Sequence, residues 1–153
     1  MAIYILALLI GIVAGLRTMT APAALSIAGA AGWLPVANSW AAFMGFRFAP
    51  YLFGLLALIE YVTDQLPNTP SRKVPQQFGV RIVSGGFCGA VIGTFGDALV
   101  GGAIAGVIGT VIGTLGGFEA RKRLAAMIGG KDLPIALLED LVAILLALWV
   151  VWP

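Results

Sequence analysis

Apolar residues in this chain come in blocks of membrane-crossing length, and that restricts the fold to helices packed in lipid. A hydrocarbon core of about 30 Å takes about 20 residues of α-helix, and all backbone polar groups within it must be satisfied internally. Five such blocks are read along the 153 residues, at about 2–16, 51–66, 79–95, 98–118 and 134–152. With 60% hydrophobic and 10% charged residues, the chain is too poor in polar side chains to cover a water-soluble globule, which carries roughly a quarter charged residues. Mean hydropathy is +1.02. The expectation is an all-α integral membrane protein: a single polytopic domain over 1–153 whose first partner is the lipid bilayer.

Residues 18–50 interrupt this pattern. They are too apolar for a loop, yet Pro22, Pro35 and Pro50 divide them into pieces (21–34 and 39–48) short of a full span. A re-entrant helical hairpin, or one short span with an interfacial helix, satisfies both facts. The count is then five spans, with six as the alternative. Met1-Ala2-Ile3-Tyr4 lacks the basic start of a cleaved signal peptide and reads as the first span. Arg72, Lys73 and Arg81 surround one connection and Arg121, Lys122, Arg123 and Lys131 another, two spans apart. The positive-inside rule makes that side cytoplasmic. Trp33, Trp40, Trp149 and Trp152 then fall at the outer interface, as does the C-terminus. Five spans put the N-terminus inside; six put it outside.

Two patterns bear on packing. Residues 10–16 resemble 112–118 and residues 56–60 resemble 135–139. In a five-span chain these pairs run oppositely, as in the inverted repeats of transporters, although Leu/Ala/Gly-rich segments also match by chance. Gly85, Gly89 and Gly93 in the third block, and Gly101, Ala105, Gly109, Gly113 and Gly117 in the fourth, are spaced by four and share helix faces. Such stripes allow close approach of another backbone, either between these two helices or across a homodimer.

Several function classes are excluded. There is no histidine and one cysteine, Cys88, which removes intrachain disulfides, Cys/His zinc sites, histidine-ligated haem and His-based triads. A net charge of +2 and a pI near 9.0 would suit nucleic acid, but the basic residues lie in short connections rather than on one face. There is no G-x-S-x-G and no P-loop; Ser84 before Gly85-Gly86 reads as a packing residue. No enzyme activity and no cofactor are expected.

The chemistry sits in charges within or beside apolar blocks, where an unpaired ion costs from a few to over ten kcal/mol. Glu60 and Asp64 share one helix face, and Glu139 and Asp140 lie inside the last block. Arg81 opens the third block, and Glu119 with Arg121 closes the fourth. All fall at one level on the cytoplasmic side. They form either a salt-bridged network joining helices or a polar vestibule for an ion, proton or small solute. Arg17 is the other anomaly. Thr20 could cap a helix starting near Ala21, and a helix N-terminus beside an arginine makes Arg17, Thr18 and Thr20 a candidate anion site. The plain alternative is an arginine reaching the interface.

Gly15-Leu16-Arg17-Thr18-Met19-Thr20-Ala21-Pro22, Glu60 with Asp64-Gln65-Leu66-Pro67-Asn68-Thr69-Pro70-Ser71-Arg72, Arg81-Ile82-Val83-Ser84-Gly85 and Leu137-Leu138-Glu139-Asp140 resemble a family of small bacterial membrane proteins that carries only a domain-of-unknown-function label. The resemblance runs over essentially the whole chain and implies a multi-pass protein of a bacterial inner membrane, with no activity attached. The expected function is therefore a small transporter or channel-like protein, a homodimer in the leading reading. The alternative is a structural or accessory membrane protein whose ion pairs only bridge helices.

Overall fold

A computed structural model of the chain describes residues 1–153 as six α-helices without strands. They are α1 (Ala2–Leu16), α2 (Thr20–Ala30), α3 (Ala49–Thr63), α4 (Pro75–Thr94), α5 (Leu99–Met127) and α6 (Leu133–Val151). Two helices, α5 and α6, are long and apolar enough to cross a membrane. α1 and α3 are as apolar but have 15 residues each, about 22 Å of helix. α4 has 20 residues, but Gln76, Gln77, Arg81 and its glycines lower its hydropathy. α5 runs past the expected end at 118 to Met127, because Glu119 to Met127 are good helix formers whose charged side chains need not stay in lipid.

The interrupted stretch is one helix and an irregular return. α2 has 11 residues, ends at Ala30 and is followed by Gly32, whose φ of +77° only glycine adopts readily. Two short 3-10 turns, Val36–Asn38 and Ala42–Gly45, fold back against it. A Cβ on Gly29 would lie 3.1 Å from the Cα of Gly45, so the return runs at backbone contact with the helix. The second expected piece, 39–48, forms no α-helix.

The helices divide the molecule into two ends. At one, Trp33 stacks on Trp152 with centroids 5.5 Å apart, and Trp40 Nε1 donates to Thr94 Oγ1 at 2.8 Å. Ile3 packs at Gly96 and Tyr4 at Gly101 beside them. At the other lie Arg17, Glu60, Asp64, Arg72, Arg81, Glu139 and Asp140. α1 therefore starts at the tryptophan end, and α6 finishes there. The five-span arrangement with an inside N-terminus would set these at opposite ends.

α5 packs most extensively, on α1 and on α4. Its partner face for α4 is Gly102 and Gly106, which meet Gly93, Gly89 and Gly85 in antiparallel order. A Cβ on Gly89 would sit 2.8 Å from the Cα of Gly106. The 101–117 stripe does not face α4: Gly109 and Gly113 meet Leu8 and Ile12 of α1, and Gly101 meets Tyr4. One turn of α5 presents two small faces, because adjacent glycines fill both. α1 and α5 run parallel (Gly11 on Gly106, Gly15 on Thr110 and Gly113). α3 and α6 run antiparallel, with Ala57 and Tyr61 beside Ala147 and Ile144. The two resembling pairs thus obey no common inversion, and the inverted repeat fails.

The core is built of small residues and a few larger ones, among them Ile10, Val13, Leu25, Met44 and Val91. Cys88 is buried within it. The outer face is apolar over much of its area. On α3 alone Leu52, Leu55, Leu58, Ile59 and Val62 are exposed.

Candidate functional site

The break between α1 and α2 organises the charged end. Arg17 leaves the helix with φ −140° and ψ 113°, which strands the last carbonyls of α1 and the first N–H groups of α2. Each set finds a charged partner. The N–H groups of Thr18 and Met19 donate to the two carboxylate oxygens of Glu60 at 2.7 and 2.8 Å. Arg81 Nη1 donates to the carbonyls of Gly15 at 2.9 Å and Leu16 at 3.1 Å. Ser84 Oγ donates to the Thr18 carbonyl at 2.7 Å, so this serine serves the break instead of only packing.

Of the expected anion site at Arg17, Thr18 and Thr20, the backbone N–H of Thr18 is therefore taken by the chain's own Glu60. Its negative charge at the start of α2 is where the helix dipole favours one. Thr20 does not cap: α2 begins at Thr20, whose hydroxyl instead bonds the Tyr61 hydroxyl at 2.6 Å.

Arg17 is fully buried, not snorkelling. It donates to Asp64 of α3 and to Asp140 of α6, with its Nη2 4.0 Å from Glu139 and its guanidinium over the Tyr61 ring. Arg72, from the α3–α4 connection, takes both oxygens of Glu139, the second at 2.6 Å. Arg81 Nη2 lies 3.8 Å from both Glu60 and Asp64. Arg121 Nε donates to Asp132 at 2.7 Å and Arg121 Nη1 to Glu139 at 3.5 Å. Of the expected vestibule residues, Glu60, Asp64, Arg81, Arg121, Glu139 and Asp140 thus share one layer. Glu119 does not: it faces away and pairs with Arg123 one turn on, at 2.7 Å. At i+2 from Glu119, Arg121 points to the other side of the helix.

Arg72 and Asp132 are the members that sequence reasoning left out of the site. Both lie in connections where charge is ordinarily solvated; the one signal was the Pro-x-Arg ending of the 64–72 stretch. Asp132 precedes α6 without capping it, because Arg121 takes its carboxylate. That hydrogen bond holds the Asp132 carboxyl below the usual carboxylate range.

Above the layer opens a cavity of about 510 Å³, walled by Asp64, Arg72, Gln77, Arg81, Arg121 and Lys122 among others. Two buried donors of this region have no acceptor, Arg17 Nη2 and Arg81 Nε. No three carboxylate or thiol groups converge as ligands for one ion. Compared with family models, with curated proteins and with solved structures, the chain matches none.

Proposed function

We propose that this chain is a multi-pass membrane protein of the bacterial inner membrane, and that its charged end is a vestibule through which an ion or small solute is transported. The carrying observation is the 510 Å³ polar cavity seated directly on a buried, charge-bridged layer. Polar volume beside intramembrane ions is what a solute pathway needs and what a purely packed bundle avoids. Arg17 closes the floor, and opening requires its bonds to Asp64 and Asp140 to be exchanged for water or solute.

Orientation is supported by charge. Of nine Lys and Arg residues, only Arg47 lies towards the tryptophan end, so the vestibule faces the cytoplasm. α1, α3, α4, α5 and α6 cross, and α2 with its 3-10 return makes a sixth, broken passage whose irregular backbone is shielded by α2 itself. Both ends of the six-helix array then face outward. Exposed apolar stripes leave room for a homodimer.

A second reading is favoured by one observation: Glu60, Asp64, Glu139 and Asp140 each already hold a cation or backbone N–H. In that reading the ion pairs only fasten helices. Proteoliposome flux separates the two. Gln77→Leu and Lys122→Gln alter the cavity wall without touching the bonded layer, and under the transport reading they change flux at unchanged Tm. If no member of a panel of ions and small organic acids moves faster than in empty liposomes, while Glu60→Gln and Glu139→Gln only lower Tm, transport is refuted and the helix-bridging role stands.

A further inference from the structure

Two cavities lie along one seam of the molecule. Besides the vestibule, a space of about 150 Å³ opens between α2, α3 and α6. α3 and α6 both flank α2 but scarcely approach each other. Arg17 ties them together at the head of the seam, through Asp64 and Asp140. From Thr20 at that head to Ile27 the space follows α2 towards the tryptophan end for about 10 Å. Asp64 stands in the vestibule wall. The Arg17 guanidinium lies over the ring of Tyr61, which stands in the wall of the second cavity. One arginine thus parts the two spaces.

Their walls differ in kind. The charged layer is balanced: Arg17, Arg72, Arg81 and Arg121 each face at least one of Glu60, Asp64, Glu139 and Asp140, so it selects neither sign of ion. Beyond Arg17 no charged side chain lines the way. The walls there are apolar, with Ala24, Ile27, Ala57, Ile144 and Leu148 among them. The two polar side chains are Thr20 and Tyr61, whose hydroxyls bond each other at 2.6 Å.

We propose that this second cavity continues the transport route, and that it takes a small hydrogen-bonding solute that is uncharged as it crosses. Alcohols, amides and carboxylic acids carrying their proton share that chemistry. The proposal rests on the vestibule reading and names the cargo. An ion that leaves the layer meets no opposite charge in the second cavity, where it is most expensive. A molecule without polar groups dissolves in the acyl chains and needs no route. The Thr20–Tyr61 pair can open to offer a solute both donors and acceptors. The space equals about five water molecules at liquid density, which restricts the cargo to a few heavy atoms. Arg17 Nη2 has no acceptor in the closed state, so opening gives up the bonds of Nε and Nη1 alone.

Swelling of proteoliposomes in glycerol, in acetamide and in glycolic acid at acid pH, with potassium chloride as the ionic control, tests this. The uncharged solutes are expected to enter faster than in empty liposomes, and the salt no faster. Ala57→Trp fills the cavity and abolishes that excess, whereas Leu145→Trp, on the exposed face of α6, keeps it. If Ala57→Trp does not fold, Ile144→Trp fills the same space from the opposite wall. Tyr61→Phe leaves the cavity its shape and slows entry; unslowed entry removes the hydroxyl pair from the site. Salt entering as fast as the solutes overturns the cargo assignment. Solute entry untouched by the filling variants overturns the route. Both of those results leave the vestibule reading in place, and excess entry of no solute and no ion removes that reading as well.

Discussion

α5 and α3 are held in the molecule by opposite means. α5 lies against α1 and α4 at backbone contact from Gly102 to Gly113, glycine on glycine at Gly102 and Gly106. α3 buries only Ala49 and Ala57 and is tied at its last turns through Glu60, Tyr61 and Asp64. In lipid, apolar burial between helices contributes little, because acyl chains solvate leucine as well as another helix does. Close backbone contact supplies dispersion that nothing else can replace. An ion pair, by contrast, can be exchanged for water or for another ion. Under the proposed membrane location, the α1–α4–α5 group is expected to be the fixed frame, and α3 the element that a change at the charged layer releases.

The strongest way to break this comparison is Arg17→Gln. It leaves Asp64 and Asp140 buried without their cation, and losing one partner of a buried pair costs about 3–5 kcal/mol. A fall of that size in detergent melting, partly recovered by adding Asp140→Asn, is expected; an unchanged melting temperature would falsify the assignment of α3 to a charge-held position. Next comes a pair of glycine replacements. Gly106→Ala sets a Cβ 3.0 Å from the Cα of Gly89, against backbone that cannot turn aside, and should cost about 1–3 kcal/mol. Gly54→Ala on α3 meets nothing within 4 Å and should stabilise by about 0.5–1 kcal/mol through helix propensity. Equal effects at the two sites would erase the distinction between frame and mobile element.

The smallest effect concerns Asp132. Its carboxyl is depressed by Arg121, so the pair's contribution is present above the ordinary carboxylate pKa and is lost as pH falls through the lowered one. Because Asp132 is 57% exposed, the pair is worth at most about 1 kcal/mol. Asp132→Asn should lower stability at neutral pH by that small amount and leave the acid end unchanged, so that the acid limb of the stability profile is flatter; a change centred near neutrality would place the titrating group elsewhere.

The presence of the helices, most of the charged layer and the separation of the tryptophans from most of the arginines were legible in the chain, because each follows from hydropathy and from the expense of an ion in an apolar block. Partner choice was not. Glu60 was visible as an intramembrane acid, but that it serves the first N–H groups of α2 depends on how α3 lies against the break at Arg17. The spacing rule found Gly85, Gly89 and Gly93, yet α5 carries glycines on two faces, and sequence does not say which face meets which neighbour. Gly102 and Gly106 were hidden beside Gly101 and Ala105 for that reason. Arg72 was unreadable as a buried group because it follows Pro67, Pro70 and polar residues that ordinarily mark a solvated loop. Glu119 shows the converse error: two residues along a helix from Arg121 is a half-turn away.

The burial of Cys88 in the helical core has a practical side. The chain's own thiol is screened by neighbouring backbone and side chains, so maleimide or spin-label reagents should pass it by while the protein is folded. Reporter cysteines can accordingly be set one at a time near Ala2, Asn68 or Trp152 without first deleting the native one. Each label then reads the compartment its position faces, and the first appearance of signal from Cys88 itself during heating marks the opening of the α1–α4–α5 frame.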